Sequence, residues 1–277
     1  MFNELINGIA NKAEQMVEIN AKDYKKDGLI YCGNCDTPKQ ARFTIDGQEK
    51  IVYCLCKCES ERRDREEKEF KERLKQEEYE RKTKSIMRFY SNFKESTFEN
   101  AEDSKITEIA KRYCTQFNTF RKDGKGLLFF GNVGTGKTYA AFCIVNELQK
   151  QGYDCTITNF PTLANRLQSG YDRQSIIDAL TTYDLVVLDD LAAERNTEYM
   201  DEIVQNVIDT LYKAKKPIIV TTNLTSEELK NPYDLNKKRT YSRILEMCIP
   251  VKVEHKDRRR ENAKENFKRY NEILGIK

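Results

Sequence analysis

The residues best suited to chemistry form one run, Gly131, Asn132, Val133, Gly134, Thr135, Gly136, Lys137 and Thr138, with Tyr139 directly behind it. Its spacing is G-x-x-x-x-G-K-[ST]. Glycines at these places let the backbone curl so that successive N–H groups, and the first turn of a following helix, aim at a phosphate. Lys137 is then expected to neutralise the outer phosphates of ATP, and the Thr138 hydroxyl to ligate Mg²⁺. The flanks agree with this: GLLFF in front reads as a buried strand, and Ala141, Ile144 and Leu148 behind share one face of a helix.

Asp189 follows Lys137 by 52 residues, near the end of DLVVLDDL. A carboxylate at the C-terminal end of a buried strand stands where open α/β sheets bind ligands. Asp189 is therefore expected to hold Mg²⁺ through water, and Asp190 to polarise an attacking water. Alone, such a run could equally be a strand followed by a helix cap; the phosphate loop upstream decides for the metal. Asn223 closes KPIIVTTN, and its amide is expected to sense the terminal phosphate, with a simple turn asparagine as the alternative.

A second chemical centre precedes this one. Five of the nine cysteines fall between Cys32 and Cys58, as C-x-x-C, 18 intervening residues and then CLCKC. In a chain that opens without an apolar export segment, such clustering points to metal rather than disulfides. Cys32, Cys35, Cys56 and Cys58 are expected to hold Zn²⁺, with Cys54 as an alternate ligand. Four thiolates leave no open position for water, so the zinc is expected to be structural. Cys114, Cys143, Cys155 and Cys248 sit among apolar neighbours and read as core residues.

The elements that must position these groups follow from hydrophobic periodicity. Strands are expected over 126–130, 155–159, 185–188, 217–221 and 249–254, with helical stretches between them, which is the pattern of a parallel sheet with crossover helices. Ahead of them, ESERRDREEKEFKERLKQEEYERKTK has opposite charges three and four apart and almost no apolar stripe, as in a solvated helix. At the start, Phe2, Leu5, Ile6, Ile9 and Met16 outline an amphipathic helix. The organisation expected is a zinc-binding, partner-binding domain over 1–60, a charged helical linker over 61–90 and an ATPase domain over 91–277. Across the 277 residues, 48 basic against 45 acidic residues give a net charge of +3, too balanced for a polyanion binder by bulk charge. No run approaches the roughly 18 apolar residues of a membrane span, and the chain reads as cytoplasmic with no membrane partner.

The succession of phosphate loop, CTITN, DLVVLDDLAAE and KPIIVTTNLTSEEL, followed by RTYSRILEMC, resembles AAA+ ATPases, and more narrowly the DnaC/DnaI/IstB group. The resemblance covers about Phe93 to Phe267. It implies a P-loop parallel sheet of order 5-1-4-3-2, self-association through the ATP site, and work on single-stranded DNA beside a replicative DNA helicase. Within it, Arg243 matches the family's arginine finger, reaching a neighbour's terminal phosphate; an ion pair with Glu246 is the local alternative. The sensor-2 arginine falls on Arg258 or Arg259, with Arg259 better spaced. Ala192 stands where the family often has Gly, Thr222 where it often has Ser, and Asp190 where most AAA+ proteins have Glu. The shorter Asp190 favours a slow switch over a fast motor. A zinc-bearing N-terminal region resembles that of the loaders more than that of IstB-type transposition helpers. The function implied is ATP-dependent loading of the helicase; the alternatives are an IstB-like transposition helper and a nucleotide-dependent adaptor that does not bind DNA.

Overall fold

The computed structural model describes residues 19–45, 48–87, 90–168, 173–192, 197–254 and 257–276. The helix expected over Phe2 to Met16 lies outside the described residues. The chain divides into two compact units, Met1–Gln76 and Glu77–Lys277.

The first unit is built on two antiparallel hairpins, β1 (Tyr24–Lys26) with β2 (Leu29–Tyr31), and β3 (Gln40–Ile45) with β4 (Gln48–Tyr53). The first hairpin turns on Asp27 and Gly28, both at positive φ (51° and 75°), the pairing that a two-residue turn needs to match strand twist. Strands β1 and β2 are not evident in the sequence, because they span three residues each and bury no face. What they do bury is an ion pair: Lys39 Nζ lies 2.7 Å from Asp23 Oδ2, with side chains 4% and 2% exposed. Asp23 also accepts the backbone N–H groups of Asn20 and Gly33. Hydrogen bonds to its charged form, that from Lys39 foremost, hold its carboxyl below the usual range.

Helix α1 (Lys57–Met87) begins at the last cysteines. As its sequence suggests, it is laced by ion pairs one turn apart, among them Glu59–Arg62 at 2.6 Å, Arg62–Glu66 at 2.9 Å and Glu78–Lys82 at 2.9 Å. Its last turns belong to the second unit. There Tyr79, Thr83 and Ile86 share a face, the Tyr79 hydroxyl donates to Asn146 Oδ1 (2.7 Å), and Ile86 enters the core.

The second unit holds a five-stranded parallel sheet of β5 (Gly126–Phe130), β6 (Cys155–Asn159), β7 (Leu185–Leu191), β8 (Ile218–Thr222) and β9 (Cys248–Lys252), in the order β6-β7-β8-β5-β9. Counted from the strand before the phosphate loop, this is the 5-1-4-3-2 arrangement expected. Strands β5 and β8 are buried along their whole length, as a parallel sheet covered on both faces requires. Leu127 and Phe129 face one apolar layer, with α2 (Lys105–Thr115) and α4 (Lys137–Lys150). Leu128 and Phe130 face the other, with α5 (Phe160–Gln168), α6 (Arg173–Leu180), α7 (Glu198–Lys213) and α9 (Leu235–Met247). The short helices α3 (Phe117–Asp123) and α8 (Ser226–Lys230) complete the connections, and α10 (Arg258–Leu274) follows β9. Cys114, Cys143, Cys155 and Cys248 are buried in this unit, as expected.

Strand β7 runs three residues past the expected end. Its register against β8 slips between Leu188 and Leu191, and Asp190 takes a left-handed φ of 62°. That bulge turns Asp190 out into the exposed edge while Asp189 stays 7% exposed.

Candidate functional site

The phosphate loop joins the end of β5 to the start of α4, and its backbone is set by residues that only glycine replaces easily. Gly134 has φ 77°, and a Cβ there would stand 1.9 Å from Asp257 Oδ1. Gly131 has φ 128°, and a Cβ would meet the Val253 carbonyl at 2.7 Å. The loop is thus pressed against the chain that leads into α10. Thr135, 2% exposed, braces it from within by donating to the Asn132 carbonyl at 2.9 Å, while Val133 projects half-exposed at its crest.

Lys137 opens α4 and is 7% exposed. Its ammonium donates to the carbonyls of Gly131 (2.8 Å) and Asn132 (2.6 Å) and to Asn223 Oδ1 (2.9 Å). The other half of the Asn223 amide donates to Asp190 Oδ1 at 3.1 Å. Beside them the Thr138 and Thr221 hydroxyls both donate to Asp189 Oδ1 at 2.8 Å, and Thr221 Oγ1 also accepts the Asp190 N–H at 2.8 Å. Lys137, Thr138, Asp189, Asp190 and Asn223 therefore form one connected polar group at the C-terminal edge of the sheet. Burial raises the Asp189 pKa and lowers that of Lys137, each against its charged form. Such desolvated, opposite charges are poised for a ligand that brings both an anion and a cation.

The cleft over this group has a volume of about 550 Å³ and is lined by Lys137, Thr138, Asp189, Asn223, Arg258 and Arg259 among others. Its donors suit a nucleotide triphosphate with Mg²⁺: the loop amides and the helix start for phosphate oxygens, Lys137 for their charge. Thr138 Oγ1 and Asp189 Oδ1, 2.8 Å apart, are oxygen donors side by side, and would suit a Mg²⁺ taken by the hydroxyl directly and by the carboxylate through water. Tyr139 lines the cleft behind the loop, its hydroxyl on the Thr97 carbonyl at 3.4 Å.

Both candidate sensor arginines reach the cleft, with different surroundings. Arg258 is held, its guanidinium 2.7 Å from Glu102 Oε2 and its N–H on the Gly134 carbonyl at 3.1 Å. Arg259 is exposed, and its positive charge acts on both Lys137 and Asp189. Arg243 is not at this cleft. It lies on α9, paired with Asp209 of α7 and 5.7 Å from the Tyr212 ring centroid. The ion pair with Glu246 offered as the local alternative does not form: Glu246 instead accepts the Tyr212 hydroxyl at 3.0 and 3.1 Å, and the guanidinium reaches across to the neighbouring helix.

Three contributors escape a linear reading. Tyr90 lines the cleft, accepts the Asn159 amide at 3.2 Å and packs edge-on against Phe142, with ring centroids 5.0 Å apart. Glu102 holds Arg258, and Thr221 holds Asp189. Only Thr221 carried a signal, standing two residues before Asn223 on a strand already read as site-bearing. The departures from the family pattern also have structural readings. Ala192 adopts φ 69°, where glycine is at ease, and buried Thr222 donates to the Leu191 carbonyl at 2.8 Å.

In the first unit the Sγ atoms of Cys32, Cys35, Cys56 and Cys58 all lie within 4.8 Å of one another. Cys58 Sγ is 3.6 Å from that of Cys32 and 3.4 Å from that of Cys56, close to the roughly 3.8 Å between sulfurs on a tetrahedral Zn²⁺ with bonds of about 2.3 Å. Cys54 stands apart, its thiol on the Pro38 carbonyl at 3.5 Å. The donor set fits a zinc ion, and the geometry gathers the four cysteines favoured by the spacing rather than the alternate.

Comparison with known proteins places the chain in a family. The replicative helicase loader DnaI of Bacillus subtilis (strain 168) is 28% identical over 167 residues, 56% of this chain and 52% of its own length. The replicative helicase loader DnaC of Escherichia coli (strain K12) is 27% identical over 127 residues, 43% of this chain and 50% of its own. The chain thus spans about half the length of these curated relatives. Among solved structures, that of the DnaC helicase loader superposes with a TM-score of 0.51 at 24% identity, over 59% of this chain and 99% of that one, a likeness of fold. The profile described as IstB-like ATP binding protein matches residues 55–266, well over half of the sequence, and the chain accordingly belongs to the family of IstB-like ATP-binding proteins.

Proposed function

We propose that this protein is an ATP-dependent loader of a replicative DNA helicase, in which nucleotide binding and slow hydrolysis switch assembly on single-stranded DNA. The observation that carries this reading is the connected group of Lys137, Thr138, Asp189, Asp190 and Asn223 under one cleft, in a chain whose curated relatives are replicative helicase loaders. ATP supplies the phosphate charge and the hydrolysable bond, and Mg²⁺ shields that charge. Lys137 and the loop amides bind the phosphates. Thr138 and Asp189 hold the metal. Asp190 accepts a proton from the attacking water, and Asn223, joined to both Lys137 and Asp190, registers whether the terminal phosphate is present. Arg258 or Arg259 closes the cleft from the α10 side. The Arg243 of a neighbouring copy completes the site, which makes self-association part of the switch.

The cysteine unit is the part assigned to the helicase. A saturated zinc site gives a small polar region a folded surface without any chemistry of its own. One Zn²⁺ per chain is expected by elemental analysis. Cys32→Ser with Cys35→Ser should remove it while ATP binding is retained. A metal-free unmutated protein, purified without chelator, would end that assignment.

Loading is tested directly with the replicative helicase of the same cell. Co-purification and ATP-dependent transfer of the helicase onto a closed single-stranded circle are expected. Binding to a transposase and to duplex DNA instead would establish the IstB-like reading, which the family profile keeps open.

A further inference from the structure

Helix α10 leaves the nucleotide cleft at Arg258 and Arg259 and continues to Leu274. From Ala263 to Leu274 none of its side chains is buried: Phe267 is 69% exposed, Tyr270 52% and Leu274 68%. With Ile273, at 66%, four large apolar groups of this helix stand in water, three of them along one face, the kind of exposed apolar surface that partners use.

The acids on this helix keep to one side. At about 100° per residue, Arg260, Lys264, Tyr270 and Leu274 fall within about 60° of the direction of Phe267, and Lys268 lies at the flank. Glu265 and Glu272 fall on the opposite side, where the backbone of Arg269 also lies. The Arg269 guanidinium sits 5.8 Å from the Tyr270 ring centroid, and Arg260 is largely exposed despite its contact with Asp257 at 3.4 Å. One face therefore combines two aromatic rings with cations and lacks acids among its described residues. A second copy in parallel register would bring Lys264 and Lys268 against their own counterparts. A polyanion with flat bases meets the same face with opposite charge and with surfaces that stack on Phe and Tyr.

We propose that the Phe267–Tyr270 face of α10 is a binding surface for single-stranded nucleic acid, Phe267 and Tyr270 stacking on bases while Lys264 and Lys268 contact phosphates. The inference rests on the single-stranded DNA partner proposed above and gives it a location. It also gives the strand a route to the ATP site, since Asp257, which caps α10 through the N–H groups of Arg259 and Arg260, stands against Gly134 of the phosphate loop.

The test is fluorescence anisotropy of a fluorescein-labelled oligothymidylate with the full chain and a non-hydrolysable ATP analogue. Phe267→Ala with Tyr270→Ala should weaken binding about tenfold or more, from about 1–3 kcal/mol per stacked base. Lys264→Gln with Lys268→Gln should flatten the dependence of log K on log salt by about 1.4, at about 0.7 per lost phosphate contact. Both variants should bind ATP normally, which controls for folding. If the oligonucleotide binds both variants with unaltered affinity and slope, the strand lies elsewhere and the surface assignment falls while the single-stranded partner stands. If the unmutated chain binds no oligothymidylate with or without nucleotide, the partner itself falls and the surface with it. If the aromatic variant loses only self-association or binding to anionic vesicles, the face belongs to a second copy or to lipid, and the proposal is overturned.

Discussion

Replacing Lys137 by alanine is expected to weaken ATP binding by about a hundredfold or more while the fold survives. The ammonium head makes three hydrogen bonds, and two of its acceptors are carbonyls of the phosphate loop itself. The head is thus tied to the loop whose N–H groups are to meet the phosphate oxygens. With nucleotide present, those donors are free to turn to the phosphates, and each charge-assisted bond is worth about 1.5–3 kcal/mol. Losing two removes about 3 kcal/mol at the least, two orders of magnitude in affinity. Burial lowers the lysine's pKa, so the desolvated head gains most from an anion. Stability should change little, since the ammonium is bonded to loop carbonyls and Asn223 at the lining of the cleft and is no member of either apolar layer. Titration calorimetry reads the affinity, and circular dichroism the fold. Unimpaired binding would mean that the nucleotide sits somewhere other than this loop.

Much of the site could be read in advance because its parts lie in short runs whose spacing carries the chemistry. Lys137 and Thr138 are adjacent, Asp189 and Asp190 end an apolar run, and Asn223 ends another. The sheet order follows from the same strands once the family pattern is recognised. What was hidden depends on contacts between distant segments. Tyr90 reaches Asn159 across 69 positions, and Arg258 reaches Glu102 from the far end of the chain. No local spacing encodes either. For the cysteines the spacing favoured Cys32, Cys35, Cys56 and Cys58, but the physical ground for leaving out Cys54 is tertiary: the register of the β3–β4 hairpin and the bond from the Cys54 N–H to the Lys39 carbonyl set it apart from the other sulfurs. The bulge at Asp190 depends on Thr221, which takes the Asp190 N–H from the neighbouring strand. Arg243 shows the same limit most clearly, since its spacing to Glu246 suggested a pair within α9 and its partner is Asp209 on α7.

That partner sharpens what is expected of Arg243. A partly exposed ion pair of this kind, its side chains 29% and 21% exposed, contributes about 1 kcal/mol to stability, so Arg243→Ala should unfold only slightly more easily than the unmutated chain. It should bind ATP normally, since Lys137 and the loop amides belong to the same subunit. Yet hydrolysis should fall by about a thousandfold if the guanidinium serves a neighbour's terminal phosphate, the scale on which arginine fingers act. Asp209→Asn separates the two roles: it breaks the pair but keeps the arginine, and should leave hydrolysis intact, or raise it by freeing the guanidinium. Mixing Arg243→Ala with Lys137→Ala then tests for action across an interface. A Lys137→Ala chain still offers its arginine, and an Arg243→Ala chain still offers its phosphate loop, so one interface in the mixture carries both halves. Partial recovery of hydrolysis is expected on mixing, and neither variant alone should show it. A mixture as inactive as its components, beside an unmutated control that hydrolyses ATP, would place Arg243 in the α7–α9 contact alone and remove the ground for an ATP site shared between subunits.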